Sequence, residues 1–160
     1  MGQSTNAILA YGYNLGGEEG WELEGVGEYG EMPTLDWYSP NNEDGDDFQT
    51  AAETKLLAEI AGFTEQWHSK NEGYFDRERA AKARLGVEFD THCSGDYPMY
   101  LLATKVITVH RGSVEGIDPN GLAAQPQQNG WDDKLRTALQ VLGITPTQGQ
   151  AKWLLCSYWG

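Results

Sequence analysis

The first 54 residues hold 12 acidic side chains and not one lysine or arginine. A segment of one sign cannot neutralise itself. It becomes ordered only if apolar side chains hold it against its own repulsion, or if bases from elsewhere in the chain come to it. Of the formal net charge of −13, this third carries −12, while residues 55–160, with 12 acids and 11 bases, carry −1. The densest stretch is "WYSPNNEDGDDFQ" (37–49), where Glu43, Asp44, Asp46 and Asp47 fall within five positions. Such a surface repels phosphate, which argues against direct, nonspecific binding to nucleic acid.

The acids are not those of a solvated tail. Trp21, Leu23, Val26, Tyr29, Met32, Leu35, Trp37 and Tyr38 recur between them. Gly and Pro interrupt the stretch too often for a long helix. An ordered but irregular arm at 14–49, pinned by its rings to a folded body, is the expectation. With 160 residues the chain suits a single domain, 1–160, with a core of its own.

The body reads as alternating elements. "AILAYGY" (7–13) has strand composition. "TAAETKLLAEIAG" (50–62) is the clearest helix, with Thr50 and Glu53 at capping-box spacing and a stripe of Ala52, Leu56, Leu57 and Ile60. "GYFDRERAAKARLG" (73–86) reads as a second helix, whose Arg77, Arg79, Lys82 and Arg84 could neutralise the arm from within. "VEFDTHC" (87–93) alternates, and "YLLATKVITVHR" (100–111) is a β-branched run; together they predict an antiparallel hairpin. Residues 112–130, rich in Gly, Pro, Asn and Gln, predict a mobile loop. "WDDKLRTALQVLG" (131–143) predicts a third helix and "KWLLCSYWG" (152–160) a final strand. The fold class expected is α+β: three to four mostly antiparallel strands with about three helices packed on one face.

Few residues carry obvious chemistry. Asp90 and His92 share a face of a regular strand, and alternation sends Cys93 to the other. A nucleophilic triad or zinc site there lacks converging ligands. An alternative ligand site remains at the hairpin mouth, from Asp90, His92, Asp96 and Tyr97, with 112–130 as a lid. Otherwise Cys93 and Cys156 read as small core residues, and Asp90–His92 as a surface or loop-anchoring pair. An EF-hand frame with Gly45 at its sixth position puts Pro40 and Ala51 where acids are required, so that pattern fails. Neither GxGxxG, GKT or GKS, GxSxG nor HExxH is present. No catalytic residue, metal or cofactor is expected, and an enzyme is the less favoured reading. Two distant cysteines imply a reducing setting. No stretch reaches membrane-span length, no basic leader opens the chain, and Asn6 stands where a myristoylation signal needs Ser or Thr.

Five segments, in order, carry a resemblance: "MGQSTNAILAYGYNLGG", "HCSGDYPMYLLA", "VHRG", "GW" with the acidic helix start at 130–133, and "WLLCSYWG". The chain resembles a family of small uncharacterised proteins encoded by phages of actinobacteria and by their hosts' genomes. The resemblance implies a phage accessory role in the bacterial host cytosol, and implies no catalytic residue.

Three functions compete. In the first, an anti-defence interaction protein binds and blocks a basic, nucleic-acid-handling host protein as a nucleic-acid mimic. Glu18, Glu19, Glu22, Glu24, Glu28, Glu31, Glu43, Asp44, Asp46 and Asp47 would face that partner, with Trp21 and Trp37 as anchors. The second is a small-ligand or metal-dependent enzyme at the 90–97 hairpin mouth. The third is a structural or assembly role, as a homodimer through the aromatic C-terminal strand.

Overall fold

The computed structural model describes residues 5–42 and 44–160. Among these, the order is β1 (Thr5–Gly17), β2 (Gly20–Trp21), α1 (Phe48–Ala61), α2 (Tyr74–Leu85), β3 (Glu88–Ser94), β4 (Pro98–His110), α3 (Pro119–Asn129), α4 (Trp131–Leu142) and β5 (Lys152–Trp159). The class is α+β. Among the described residues the sheet has five strands rather than three to four, mostly antiparallel but mixed through one parallel pairing, and the helices number four against about three expected.

Strand pairing closes on itself. β1 lies antiparallel to β4 on one flank, from Asn6↔His110 to Gly17↔Met99, and to β5 on the other, from Thr5↔Trp159 to Gly12↔Lys152. β3 pairs antiparallel with β4, and its last two residues meet β5 in parallel at Cys93↔Tyr158 and Ser94↔Trp159. The circuit β1–β4–β3–β5–β1 is therefore complete, with β2 added beyond the far end of β1. Closure demands sharp bending, and the chain supplies it at a register shift between Tyr11 and Gly12. A Cβ on Gly12 would lie 1.9 Å from the Leu102 carbonyl oxygen, so only glycine lets β4 come this close.

Alternation along the strands divides the apolar side chains between two cores. Tyr11 and Leu15 of β1, Phe89 of β3, and Tyr100 and Leu102 of β4 meet the stripes of α1, α2 and α4 in the larger core. Ile8, Ala10, Leu101 and Ala103 face the enclosed side, joined by Val106, Leu154, Cys156 and Tyr158. Phe48 and six leucine side chains are fully buried, each contributing roughly 1.5–3 kcal/mol of transfer free energy.

Three local expectations need correction. The cap of α1 is Asp47, whose Oδ1 accepts the Thr50 N–H at 2.7 Å; Glu53 instead pairs with Lys82 at 3.3 Å. Segment 112–130 is not all loop, because 119–129 form α3. Asp118 accepts the Asn120 N–H at 3.1 Å, and Pro119 fits the first turn, where a missing N–H costs nothing. Cys93 is exposed rather than a core residue, and its φ of 73° breaks the strand alternation at the end of β3. No helix among the described residues is long and apolar enough to cross a membrane.

Candidate functional site

The acidic arm is tied to the body at three places. First, β2 folds back on β1 through Gly17↔Gly20 and Gly16↔Trp21. Next, Leu23, 3% exposed, bridges to Pro146, and on either side of it Glu24 N–H donates to the Thr145 carbonyl (2.8 Å) and Thr147 N–H to the Glu22 carbonyl (2.9 Å). Lastly, the Trp37 indole N–H donates to the Leu142 carbonyl at 2.8 Å. Phe48 organises the region, with the rings of Trp21, Trp37, Tyr38, Phe89 and Tyr100 around it at centroid distances of 4.9 to 6.2 Å. Such contacts add to the burial term in tilted and edge geometries. Trp21 and Trp37, expected to anchor a partner, are half-buried, and their rings pack into this internal cluster.

The carboxylates face the other way. Glu18, Glu19, Glu22, Glu24, Glu28, Glu31, Asp44, Asp46 and Asp47 are all exposed; Glu43 lies outside the described residues. None of the nine forms an ion pair among the described residues. Five of the eleven bases pair with other acids: Arg77 with Glu65 at 2.7 Å, Arg79 with Asp76, Lys82 with Glu53 and Glu78, Arg136 with Asp133, and Lys55 with Glu59. Arg84 donates to the Ala61 carbonyl at 3.2 Å. The internal neutralisation that α2 could have supplied is thus absent from these contacts. The arm also leaves an electrostatic mark on its own aromatic cluster. Burial, with Glu18 and Asp47 adding to it, raises the Tyr38 hydroxyl, and burial with Asp47, Tyr38 and Glu18 pushes Tyr100 up to about 12.

A groove of about 530 Å³ opens within the arm, lined among others by Glu18, Trp21, Glu31, Met32, Tyr38 and Pro40. It joins carboxylates to aromatic rings, with no lysine or arginine on its walls. Tyr29 stands outside it at 87% exposure, on a turn between Glu28 and Gly30. In the sequence Tyr29 and Tyr38 look alike; only the fold separates the outward ring from the packed one.

The four residues of the hairpin mouth do not share one environment. Pairing of Glu88, Asp90 and His92 with Ala103, Leu101 and Met99 sets these three on the enclosed face of β3. Asp96 and Tyr97 sit on the exposed turn between β3 and β4, Tyr97 at 59%. The Asp90 carboxylate accepts the Thr91 N–H at 2.8 Å. Burial holds His92 below the usual imidazole range, and its Nε2 is buried with no hydrogen-bond partner. Cys156 belongs to this face too, as its alternation with Leu154 and Tyr158 could have shown. Burial, followed by the charge of Asp90, raises its thiol, the opposite of what a thiolate nucleophile requires. No group of three or more His, Cys, Asp or Glu suited to a metal occurs among the described residues.

Comparison with known proteins adds no further constraint: no family model matches the chain, and neither a curated protein nor a solved structure does.

Proposed function

We propose that the chain is an interaction protein whose acidic arm occupies a basic, nucleic-acid-handling site on another protein, in the manner of a nucleic-acid mimic. The observation that carries this reading is the pairing of order with exposure. Nine of the candidate carboxylates, from Glu18 to Asp47, are exposed and form no ion pair among the described residues, on a segment tethered at Leu23 and Trp37. A dangling acidic tail would lose conformational entropy on binding; a tethered one has already lost most of it. Charges of one sign on such a frame speed encounter with a basic cleft and disfavour acidic partners. The resemblance to phage proteins supports a bacterial host protein as the target and an anti-defence role.

The test is capture from host lysate, at low and high salt, with competition by duplex DNA. Binding of a nucleic-acid-handling protein that salt weakens and DNA displaces supports the reading. A variant with Glu18, Glu19, Glu22, Glu24 and Glu28 changed to Gln should lose that capture. Retention of the same protein by this variant would overturn the proposal.

A second reading has its own observation. Register places Leu9, Ile107 and Leu155 in one row on the outside of the sheet, and Leu155 is 79% exposed. An apolar row of this kind suits association between two copies of the chain.

A further inference from the structure

We propose that the turn at 27–31 recognises an arginine side chain of a protein partner, with the groove behind it receiving the adjoining basic chain; this rests on the arm being a docking surface. The arm's other rings are committed inward, whereas Tyr29 is 87% exposed and contributes nothing to either core. The turn that carries it is nevertheless built. Gly27 N–H donates to the Glu31 carbonyl at 2.9 Å, Gly30 N–H to the Gly27 carbonyl at 3.0 Å, and Tyr29 N–H to Glu31 Oε2 at 3.2 Å. Gly30 has a φ of 82°, which a side chain rarely adopts, so the reversal is specified by sequence. An aromatic face held open on a fixed turn is prepared for contact before any partner arrives.

The chemistry of that contact follows from its neighbours. Glu28 and Glu31 lie on the same turn as Tyr29, and the groove shares Gly30 and Glu31 with that turn while Glu18 lies on its wall. The occupant must therefore be cationic. A planar guanidinium can stack on the phenol and direct its N–H groups to carboxylates of the same turn. A lysine ammonium is a compact, strongly hydrated point charge and gains less from the face. The site is selective for arginine over lysine, where charge alone would not be.

The experiment uses two labelled peptides, one alternating arginine and glycine, the other lysine and glycine, titrated by anisotropy at low and high salt. The unchanged protein should prefer the arginine peptide by about five-fold, the scale of an exposed cation–π contact. Tyr29→Ala should remove the preference, Tyr29→Phe should keep it, and Phe75→Ala, which removes a ring 60% exposed on α2, should leave it intact. An arginine preference that survives Tyr29→Ala overturns the assignment. Equal binding of both peptides to the unchanged protein also overturns it, while leaving the charged arm as a docking surface. Failure of both peptides to bind removes both proposals.

Discussion

The indole of Trp37 donates its N–H to the carbonyl of Leu142, joining residues 105 positions apart at 2.8 Å. The acceptor lies at the last turn of α4, where helix carbonyls lack partners of their own. One bond thus serves both as a cap for the helix and as a tether for the arm. Trp37→Phe keeps much of the ring packing but loses the donor, and should cost about 1 kcal/mol. Urea unfolding measures that loss. Hydrogen exchange should show the Glu24 amide, bonded to Thr145 nearby, losing protection.

The position of Gly12 gives a sharper test of the sheet. A Cβ there meets backbone, at 1.9 Å from the Leu102 oxygen and 2.8 Å from the Ala103 Cα. Neither neighbour can swing aside as a side-chain tip could. Gly12→Ala should therefore destabilise by about 1–3 kcal/mol through overpacking. A thermal midpoint equal to that of the unchanged protein would mean that β4 does not approach β1 as described.

Alkaline pH probes the two buried phenols. Tyr11 is pushed up to about 12 by burial, then by its 2.7 Å hydrogen bond to Asp132, while Tyr100 reaches about 12 through burial and the charge of Asp47. In the unfolded chain a tyrosine ionises near 10. Between about 10 and 12 the unfolded state gives up these protons and the folded state keeps them, so stability is flat below this window and falls as pH rises through it. Urea midpoints near pH 9 and near pH 11 measure the slope. Tyr11→Phe should reduce that slope even if it lowers stability at neutral pH.

If copies associate through the outer row of the sheet, Leu155 is the residue to change. At 79% exposure it supports no core, so Leu155→Lys should leave the free energy of unfolding within about 0.5 kcal/mol of its original value. Light scattering should show mass rising with concentration for the unchanged protein and staying monomeric for the variant. A monomer at every concentration before mutation would end that reading.

Much of this architecture was legible locally. The stripe Ala52, Leu56, Leu57 marks α1, and Trp131, Leu135, Ala138, Leu142 marks α4, because a helix repeats its buried face every three to four residues. The charge of the arm and the rings spaced along it were visible in the sequence itself. Other features escaped for reasons that lie outside any short window. Gly12, Gly16 and Gly17 punctuate β1, so its 13 residues read as seven; the glycines are there because neighbouring backbone crowds them. Two prolines and a run of Gln conceal α3. The parallel contact of Cys93 with Tyr158 joins segments far apart in the chain and leaves no local pattern, and without it the closed circuit cannot be inferred. The candidate site divided in the same way. Its carboxylates were visible, but which rings face outward depends on what each packs against, and Trp21, Trp37 and Tyr29 look alike until the chain is folded.

Thr5 lies opposite Trp159, so β1 waits for β5, more than 130 residues later in the chain. During synthesis, one flank of β1 stays unfilled until β5 has left the ribosome, and the other until β4 has, which exposes a length of sheet-forming backbone to every neighbouring nascent chain. The sheet closes only when residues 5–17 and 152–159 are both free to pair, a contact of high sequence separation that slows folding.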